Sequence, residues 1–134
     1  RPEIILDVAH NEDSAQKLHE NLKQKPNQNT IAIIGILKDK DVYSLIKPMM
    51  SIVDTWYCVT IDNPRGMNAK EIKTRMSTLV TKKNIHTFDD IVDASSQALS
   101  FLNSDDRLII YGSFYTVSDY LSHYQSLNNN QVAQ

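Results

Sequence analysis

The sequence predicts an α/β fold in which a mostly parallel sheet lies between two layers of helices. Short runs rich in β-branched residues alternate five times with stretches whose apolar residues recur at helical spacing. One of those runs, residues 31–37, is apolar throughout, which is typical of a central parallel strand covered by helices on each side. We therefore expect a three-layer, Rossmann-like sandwich with five or six strands flanked by helices.

Five segments have the composition of strands. They are short, rich in Ile, Val, Thr and aromatic residues, and bounded by residues that form turns or start helices. The predicted strands are residues 3–8, 30–37, 55–61, 84–88 and 107–111.

A stretch with helical spacing of apolar residues follows each predicted strand. The residues that share a face are Ala15, Leu18 and Leu22 in the first; Val42, Leu45, Ile46, Met49 and Met50 in the second; Ile72, Met76, Leu79 and Val80 in the third; Ile91, Ala98, Leu99 and Leu102 in the fourth; and Val117, Tyr120, Leu121 and Tyr124 in the fifth. Pro48 should kink or shorten the second helix. Asn11, Asn68 with Glu71 three positions later, and Asp89 stand where helix N-caps belong.

Composition narrows the possible functions. The 134 residues suffice for one domain with a single core, and 14 basic against 16 acidic residues leave a formal net charge of −2. That charge predicts neither a nucleic-acid nor a membrane partner. The single cysteine fits a reducing, cytoplasmic setting, and the four histidines show no metal-ligand spacing. Motifs for a dinucleotide site, a phosphate-binding P-loop and a serine hydrolase are missing from the sequence.

The two ends of the chain also carry expectations. Arg1 and Pro2 lead directly into a predicted strand without an initiator Met, which suggests a fragment cut at a domain boundary. We expect residues 1–125 to form the domain. The polar, aperiodic residues 126–134 should fray.

Polar residues follow the predicted strands and should meet at one edge of the sheet. In a parallel sheet the segments after each strand lie along the carboxyl edge, where ligands bind. Here those segments are residues 7–11, 35–41, 62–67, 88–90 and 112–116.

The segment 7–11 allows two interpretations. In the structural one, Asn11 caps a helix, Asp7 is its turn partner and His10 is simply exposed. In the functional one, Asp7 accepts hydrogen bonds from a ribose or an ammonium group while His10 packs on, or bonds to, a nucleotide. Glu12 and Asp13 in the first helical turn repel anions, so this helix start is a poor site for free phosphate.

Three further loops supply candidates for anion and hydroxyl contacts. Lys38, the lysine nearest its strand end, is the best candidate for neutralising a carboxylate or phosphate. Arg65 is either a surface charge or an anion clamp. Ser113 is an N-cap, a ligand contact, or both. Additional candidates in these loops are Asp39 and Tyr115.

Four segments resemble the C-terminal domain of folylpolyglutamate synthase/dihydrofolate synthase, enzymes of the Mur ligase superfamily. They occur in the family's order and at its spacing over nearly the whole chain. The segments are residues 5–11 (Ile-Leu-Asp-Val-Ala-His-Asn), residues 35–41 (Gly-Ile-Leu-Lys-Asp-Lys-Asp), the Pro64-Arg65 turn, and residues 112–117 (Gly-Ser-Phe-Tyr-Thr-Val). The family usually has proline where this chain has Glu12; proline there organises a helix start but does no chemistry.

The resemblance implies an ATP-dependent amide ligase of two domains. The N-terminal domain, absent from this chain, would carry the P-loop and bind most of the ATP and Mg²⁺, and no metal would be bound here. A dihydropteroate or folate carboxylate would become an acyl phosphate, which L-glutamate would attack to form an amide. This domain would close over the site as a lid that excludes water. Used alone, the fragment should be inactive, and the enzyme should be a monomer.

The resemblance also implies roles for single residues. Asp7, His10 and Asn11 would lie at the interdomain cleft, with Asp7 and His10 contacting the nucleotide or the glutamate. Ser113 would help to hold glutamate, and Lys38 would pair with its carboxylate.

Two other functions fit the same sequence. One is the C-terminal domain of another Mur-type amino-acid ligase, whose acceptor is a cell-wall precursor. The other is a non-enzymatic α/β module that binds a small anion or a protein partner at the same edge. The sequence does not choose between dihydrofolate synthesis, polyglutamate extension and both.

Overall fold

In the computed structural model, residues 2–25 and 29–133 are described, with residues 125–133 described by their backbone alone. Within these ranges the strands are β1 (Glu3–Leu6), β2 (Thr30–Ile34), β3 (Thr55–Val59), β4 (Ile85–Phe88) and β5 (Arg107–Tyr111). The helices are α1 (Glu12–Leu22), α2 (Val42–Ile46), α3 (Ala69–Met76), α4 (Ile91–Phe101) and α5 (Phe114–Ala133), with short 3₁₀ turns at Lys47–Met49 and Lys82–Asn84.

The five strands form one sheet with the order β1-β5-β2-β3-β4, and every pair is parallel. Strand β5, the last in sequence, lies between β1 and β2. At the centre of the sheet, Ile33 is in register with Tyr57 on one side and Ile110 on the other. The predicted α/β class and mostly parallel sheet are therefore confirmed, with five strands.

Helices cover both faces of the sheet and divide the core into two clusters. On one face, α1, α2 and α3 pack with sheet residues that include Ala32, Trp56 and Tyr111. On the other face, α4 and α5 pack with residues that include Ile33 and Leu108. All five residues of β2 are buried. This burial on both faces confirms the expectation drawn from its apolar sequence.

Three strands end earlier than predicted. Strands β1, β2 and β3 were expected to reach residues 8, 37 and 61, but they end at Leu6, Ile34 and Val59. Ile36 and Leu37 remain buried although they lie outside the ladder, and Leu37 forms only an isolated antiparallel bridge with Gly66. An apolar pattern reports burial, not strand pairing, so it overestimates the length of a strand whose end turns into a buried loop.

Most helix starts and breaks agree with the sequence signals. The side chains of Asn11 and Asn68 cap α1 and α3, and α2 gives way to a 3₁₀ turn that contains Pro48. The cap of α4 was predicted one residue too early: Asp90, not Asp89, accepts a hydrogen bond from the Asp93 backbone N–H at 2.9 Å. Both are aspartates, and only the backbone shows which of them directly precedes the helix.

A few apolar residues on the predicted helix faces point outward instead. Met50, Leu99 and Leu121 are each exposed by more than a third. They stand at the margins of their apolar stripes, where helical periodicity separates core from surface least sharply.

Helix α5 includes polar residues near the end of the chain. Its backbone is helical to Ala133, and the expectation that the residues after 125 fray stays a prediction. Once a helix is anchored by packing, each added residue forms one more backbone hydrogen bond, so a polar continuation can stay helical without an apolar face.

Candidate functional site

A cleft opens at the carboxyl edge of the sheet, where neighbouring strands send their helices to opposite faces. Strand β5 leads into α5 on one face, while its neighbours β1 and β2 lead toward α1 and α2 on the other. Diverging connections leave a crevice at such a point, and ligands of open α/β sheets bind there. The cleft has a volume of about 340 Å³. Its lining residues are Val8, His10, Leu37, Lys40, Arg65, Gly112, Ser113, Phe114 and Tyr115.

Two glycines allow the loops around this cleft to approach one another. Gly112 has φ of +112°, a conformation that side chains rarely adopt, and a Cβ there would lie 2.5 Å from the Gly35 carbonyl oxygen. A Cβ on Gly35 would in turn collide with the Thr116 hydroxyl. The loops after β2 and β5 can therefore pack against each other only because both positions lack a side chain.

Asp7 holds the shape of the turn that follows β1. Its Oδ1 accepts a hydrogen bond from the Ala9 backbone N–H at 2.8 Å, and the side chain is half-buried. Ala9 is buried, and its carbonyl oxygen accepts a bond from the Gly112 backbone N–H at 3.0 Å. Asp7 thus holds Ala9, which links the β1 turn to the β5 turn, and the Asp7 side chain itself does not line the cleft.

Asn11 caps helix α1 with the help of a residue that sequence reasoning missed. The Ser14 N–H donates to Asn11 Oδ1 at 2.9 Å, and the Asn11 N–H donates to Ser14 Oγ at 3.2 Å. Ser14 Oγ also accepts from the His10 N–H at 3.1 Å. Its position three residues after the cap is the signal of a capping box. Asn11 itself does not line the cleft.

His10 is the polar residue of this turn that lines the cleft. Its ring is exposed, and Nδ1 lies 3.2 Å from the Val8 carbonyl oxygen. With the proton on Nδ1 the ring donates this bond, and Nε2 is then the nitrogen that can accept a hydrogen bond.

The cations of the cleft are Lys40 and Arg65, not Lys38. Lys38 lies with Asp39 and Arg65 on a neighbouring cleft of about 270 Å³, so Arg65 borders both. The Lys38 N–H donates to the Arg65 carbonyl oxygen at 2.8 Å, which ties the two loops together. The Lys40 N–H donates to the Leu37 carbonyl oxygen at 3.1 Å. That turn brings Lys40 back to the cleft. Lys38 was chosen because it is the lysine nearest the strand end, and this criterion could not identify Lys40.

Ser113 is a helix cap buried in the wall of the cleft. Its side chain is 2% exposed, and its Oγ accepts from the Thr116 N–H at 3.2 Å and lies 3.0 Å from the Thr116 hydroxyl. The structural interpretation of Ser113 therefore holds. The Ser113 hydroxyl already has these two partners, and its role as a ligand contact stays a prediction.

An apolar rim surrounds the cations. Phe114 is 66% exposed, Val8 is 52% exposed and Tyr115 is 38% exposed. The rings of Phe114 and Tyr115 meet edge to face, with centroids 6.2 Å apart. Phe114 and Tyr115 are the first two residues of α5. The sequence analysis named only Tyr115 as a candidate and missed Phe114. Exposed apolar side chains gathered around a cleft are typical of a ligand or partner surface.

The part of the chain that the structure describes contains no cluster of three His, Cys, Asp or Glu residues placed to hold a metal ion. Among the same residues, no helix has the length and apolar character needed to cross a membrane.

Comparison with protein families and solved structures gives consistent matches. Residues 1–114 match the family described as Mur ligase, glutamate ligase domain. The dihydrofolate synthase/folylpolyglutamate synthase of Escherichia coli is 34% identical over 118 residues, which is 87% of this chain. The structure of E. coli FolC in complex with ADP superposes with a TM-score of 0.85 at 31% identity over 94% of this chain. A bifunctional folylpolyglutamate synthase/dihydrofolate synthase with Mn, AMPPNP and L-glutamate bound gives 0.83 at 33% identity over 92%.

The chain spans only part of each of these proteins. It covers 26% of the E. coli sequence relative and 29% of the chain in each of the two structures.

Proposed function

Because the chain belongs to the Mur ligase family, as a glutamate ligase domain, we propose that it serves as the C-terminal domain of an ATP-dependent amide ligase. The intact enzyme would add L-glutamate to dihydropteroate, to folates or to both. The observation that carries the proposal is the cleft at the carboxyl edge, where Lys40 and Arg65 stand within an apolar, aromatic rim. The relatives' names and the ligands of their structures support the choice of substrates.

The cleft residues suit the two ligands in different ways. Arg65 and Lys40 would neutralise phosphate or carboxylate oxygens, with Arg65 able to bind two oxygens at once. His10 would pack against the nucleotide or bond to it through Nε2. Asp7 stands behind the cleft lining; since its Oδ1 is occupied by the Ala9 N–H, its Oδ2 would be the oxygen that accepts from a ribose hydroxyl or an ammonium group reaching past the lining.

The remaining candidates would act at the margin of the cleft. Lys38 lies on the neighbouring small cleft beside Arg65, from which it would pair with the glutamate carboxylate. Ser113 would position the first turn of α5, whose free backbone N–H groups could meet an anionic group. ATP and Mg²⁺ would be held mainly outside this chain, since its sequence has no P-loop motif and its described residues offer no metal cluster.

The apolar rim indicates how the domain would contribute to the reaction. Val8, Phe114 and Tyr115 are exposed around the cleft and would be covered when the N-terminal domain closes against it. Closure would exclude water from the acyl phosphate, which would otherwise be hydrolysed before the glutamate amine attacks it.

The test is acceptor-dependent ligation by the intact protein. ADP release and amide formation would be measured with ATP, L-glutamate and one acceptor at a time: dihydropteroate, a reduced folate, or a UDP-muramoyl peptide with its own amino acid. We expect turnover with a pterin or folate acceptor. Turnover with the muramoyl peptide alone would instead indicate a cell-wall ligase, and no ligation with any acceptor would indicate a binding module.

A further inference from the structure

A second groove lies away from the cleft, where α3 packs beside the edge strand β4. Its volume is about 360 Å³, and it shares no lining residue with the cleft. It is lined by Lys70, Lys73, Thr74, Ser77, Lys82 and Thr87.

The groove carries positive charge, and none of its lining residues carries a negative charge. Three of the six are lysines, and none is a carboxylate, although the chain as a whole has a net charge of −2. Across the described part of the chain, none of the three lysines takes part in an ion pair. The acidic residue of α3, Glu71, is instead bonded to Arg75 at 3.0 Å.

Lys73 is the least exposed of these three lysines. Its side chain is half-buried. Burial raises the pKa of the Cys58 thiol to about 12, and the positive charge of Lys73 acts in the opposite direction by lowering that pKa. Cys58 is in register with Thr87, which lines the groove, so this effect places Lys73 beside the same part of the sheet. The aliphatic part of a lysine side chain is often covered while its ammonium stays at the surface, where a bound anion would meet it.

The hydroxyl groups show how an anion would be held. Thr74 Oγ1 donates to the Lys70 carbonyl oxygen at 2.9 Å, and Ser77 Oγ donates to the Lys73 carbonyl oxygen. Their protons are therefore committed to the helix. Binding would rest on the ammonium groups, which are separate point charges and not a cage of donors around one centre.

The spacing of the lysines indicates the shape of the ligand. Lys70 and Lys73 are three residues apart on one helix face, which places their Cβ atoms about 5–6 Å apart. Lys82 stands on the other wall, before β4. We propose that this groove binds a small polyanion whose carboxylates or phosphates are spread along a flexible chain. The proposal does not depend on the function assigned to the cleft.

The test is a titration of the ¹⁵N-labelled 134-residue chain at low ionic strength with triglutamate, tripolyphosphate and acetate. We expect saturable shifts of the amides of residues 70–77 and 82–87, with a Kd on the order of 1 mM for at least one polyanion. Binding should be about tenfold or more tighter than that of acetate, and 0.5 M NaCl should abolish it. The tighter of the two polyanions identifies the source of the negative groups.

Matched variants separate a site from general charge attraction. Lys73→Ala and Lys70→Ala should each weaken polyanion binding by about fivefold or more, whereas Lys17→Ala should change it by less than about twofold. Lys17 is an exposed lysine on α1 whose loss removes the same charge. Shifts that never saturate, shifts confined to the cleft, or equal losses in all three variants would overturn the proposal.

Discussion

Main-chain hydrogen bonds occupy the side chains of Asp7, Asn11 and Ser113, which shape the loops at the carboxyl edge. His10, Lys40 and Arg65 line the cleft together with Ser113, and of these three only the His10 ring has a main-chain partner in the described residues, the Val8 carbonyl oxygen. Shaping and lining residues alternate along the same short loops. Replacing a shaping residue should therefore lower the free energy of unfolding, whereas replacing a lining residue should change ligand binding with little effect on stability.

The first prediction concerns Arg65 in the intact enzyme. Arg65→Ala should raise the KM for ATP or glutamate about tenfold, roughly 1.4 kcal/mol, because one exposed charge-assisted contact is lost. The thermal midpoint should stay within about 2 °C, since the exposed side chain leaves no cavity. Steady-state kinetics with each substrate varied in turn would measure the effect, with Lys17→Ala as the control for lost charge. Unchanged KM values for both substrates would remove Arg65 from the site.

Asn11 is a shaping residue, so its replacement should change stability. Asn11→Ala should lower the free energy of unfolding by about 1 kcal/mol, because the Ser14 N–H loses its partner at the start of α1. Ser14→Ala removes the reciprocal bond, so the double variant should lose less than the sum of the single losses. Urea unfolding of the four proteins gives the coupling free energy. Strict additivity would show that the two side chains act independently of a shared cap.

At the scale of elements, the position of the cleft depends on how tightly the ends of β2 and β5 approach. Gly35 and Gly112 face each other across this junction, and Thr116 on α5 fills the remaining space. The buried Ser113 and Thr116 hydroxyls bond to each other within the same turn. A side chain added here would push apart the loops that carry the cleft residues.

Gly112→Ala tests this junction. The substitution forces a Cβ into a backbone with φ of +112° and toward the Gly35 carbonyl oxygen, so we expect a loss of about 2–4 kcal/mol in the free energy of unfolding. Ser96→Ala, a small change at an exposed position of α4, should stay within about 0.5 kcal/mol. Chemical denaturation would compare the two. A Gly112→Ala protein of wild-type stability would mean that the two loops can accommodate the added Cβ without a cost in free energy.

The sequence predicted the existence and type of these elements better than their ends. The apolar run through Leu37 correctly indicated a buried segment, but burial continues past Ile34 into a loop, so strand length was overestimated. The candidate residues were expected at the carboxyl edge of the sheet, and the structure has a cleft there that His10 and Arg65 line. Lys40 could not be chosen over Lys38, because the turn that brings it back is set by backbone bonds that side-chain identity does not encode.

At the scale of the whole molecule, the order of the strands creates the cleft at the carboxyl edge. Insertion of β5 between β1 and β2 places connections to opposite faces side by side. Periodicity in the sequence reports which residues are buried and not which strands are neighbours, so this order could not be read from it. The resemblance to known ligases did not give the strand order either, but it selected the segments of residues 5–11, 35–41 and 112–117. These contain loop residues that line the crevice.

The last prediction concerns the 134-residue chain by itself. Its described residues form a five-stranded sheet with a core cluster on each face, so it should unfold cooperatively on heating. Without a P-loop in its sequence it should release no phosphate from ATP above background. In the proposed function this chain supplies one side of an interdomain cleft and only part of the contacts, so ATP and L-glutamate should bind with a Kd of roughly 1 mM, about −4 kcal/mol.

Calorimetry, a phosphate-release assay and an amide titration would test these three points, with the intact enzyme as the positive control for turnover. The titration should shift the amides of residues 8–10, 37–40 and 112–115 first, because they border the cleft. Turnover of about 1 s⁻¹ or more by the isolated chain would contradict the role proposed for it, as one half of a two-domain site. Shifts confined to the amino edge of the sheet would place the nucleotide and glutamate site elsewhere, since the cations and exposed aromatic rings of the cleft lie at the carboxyl edge.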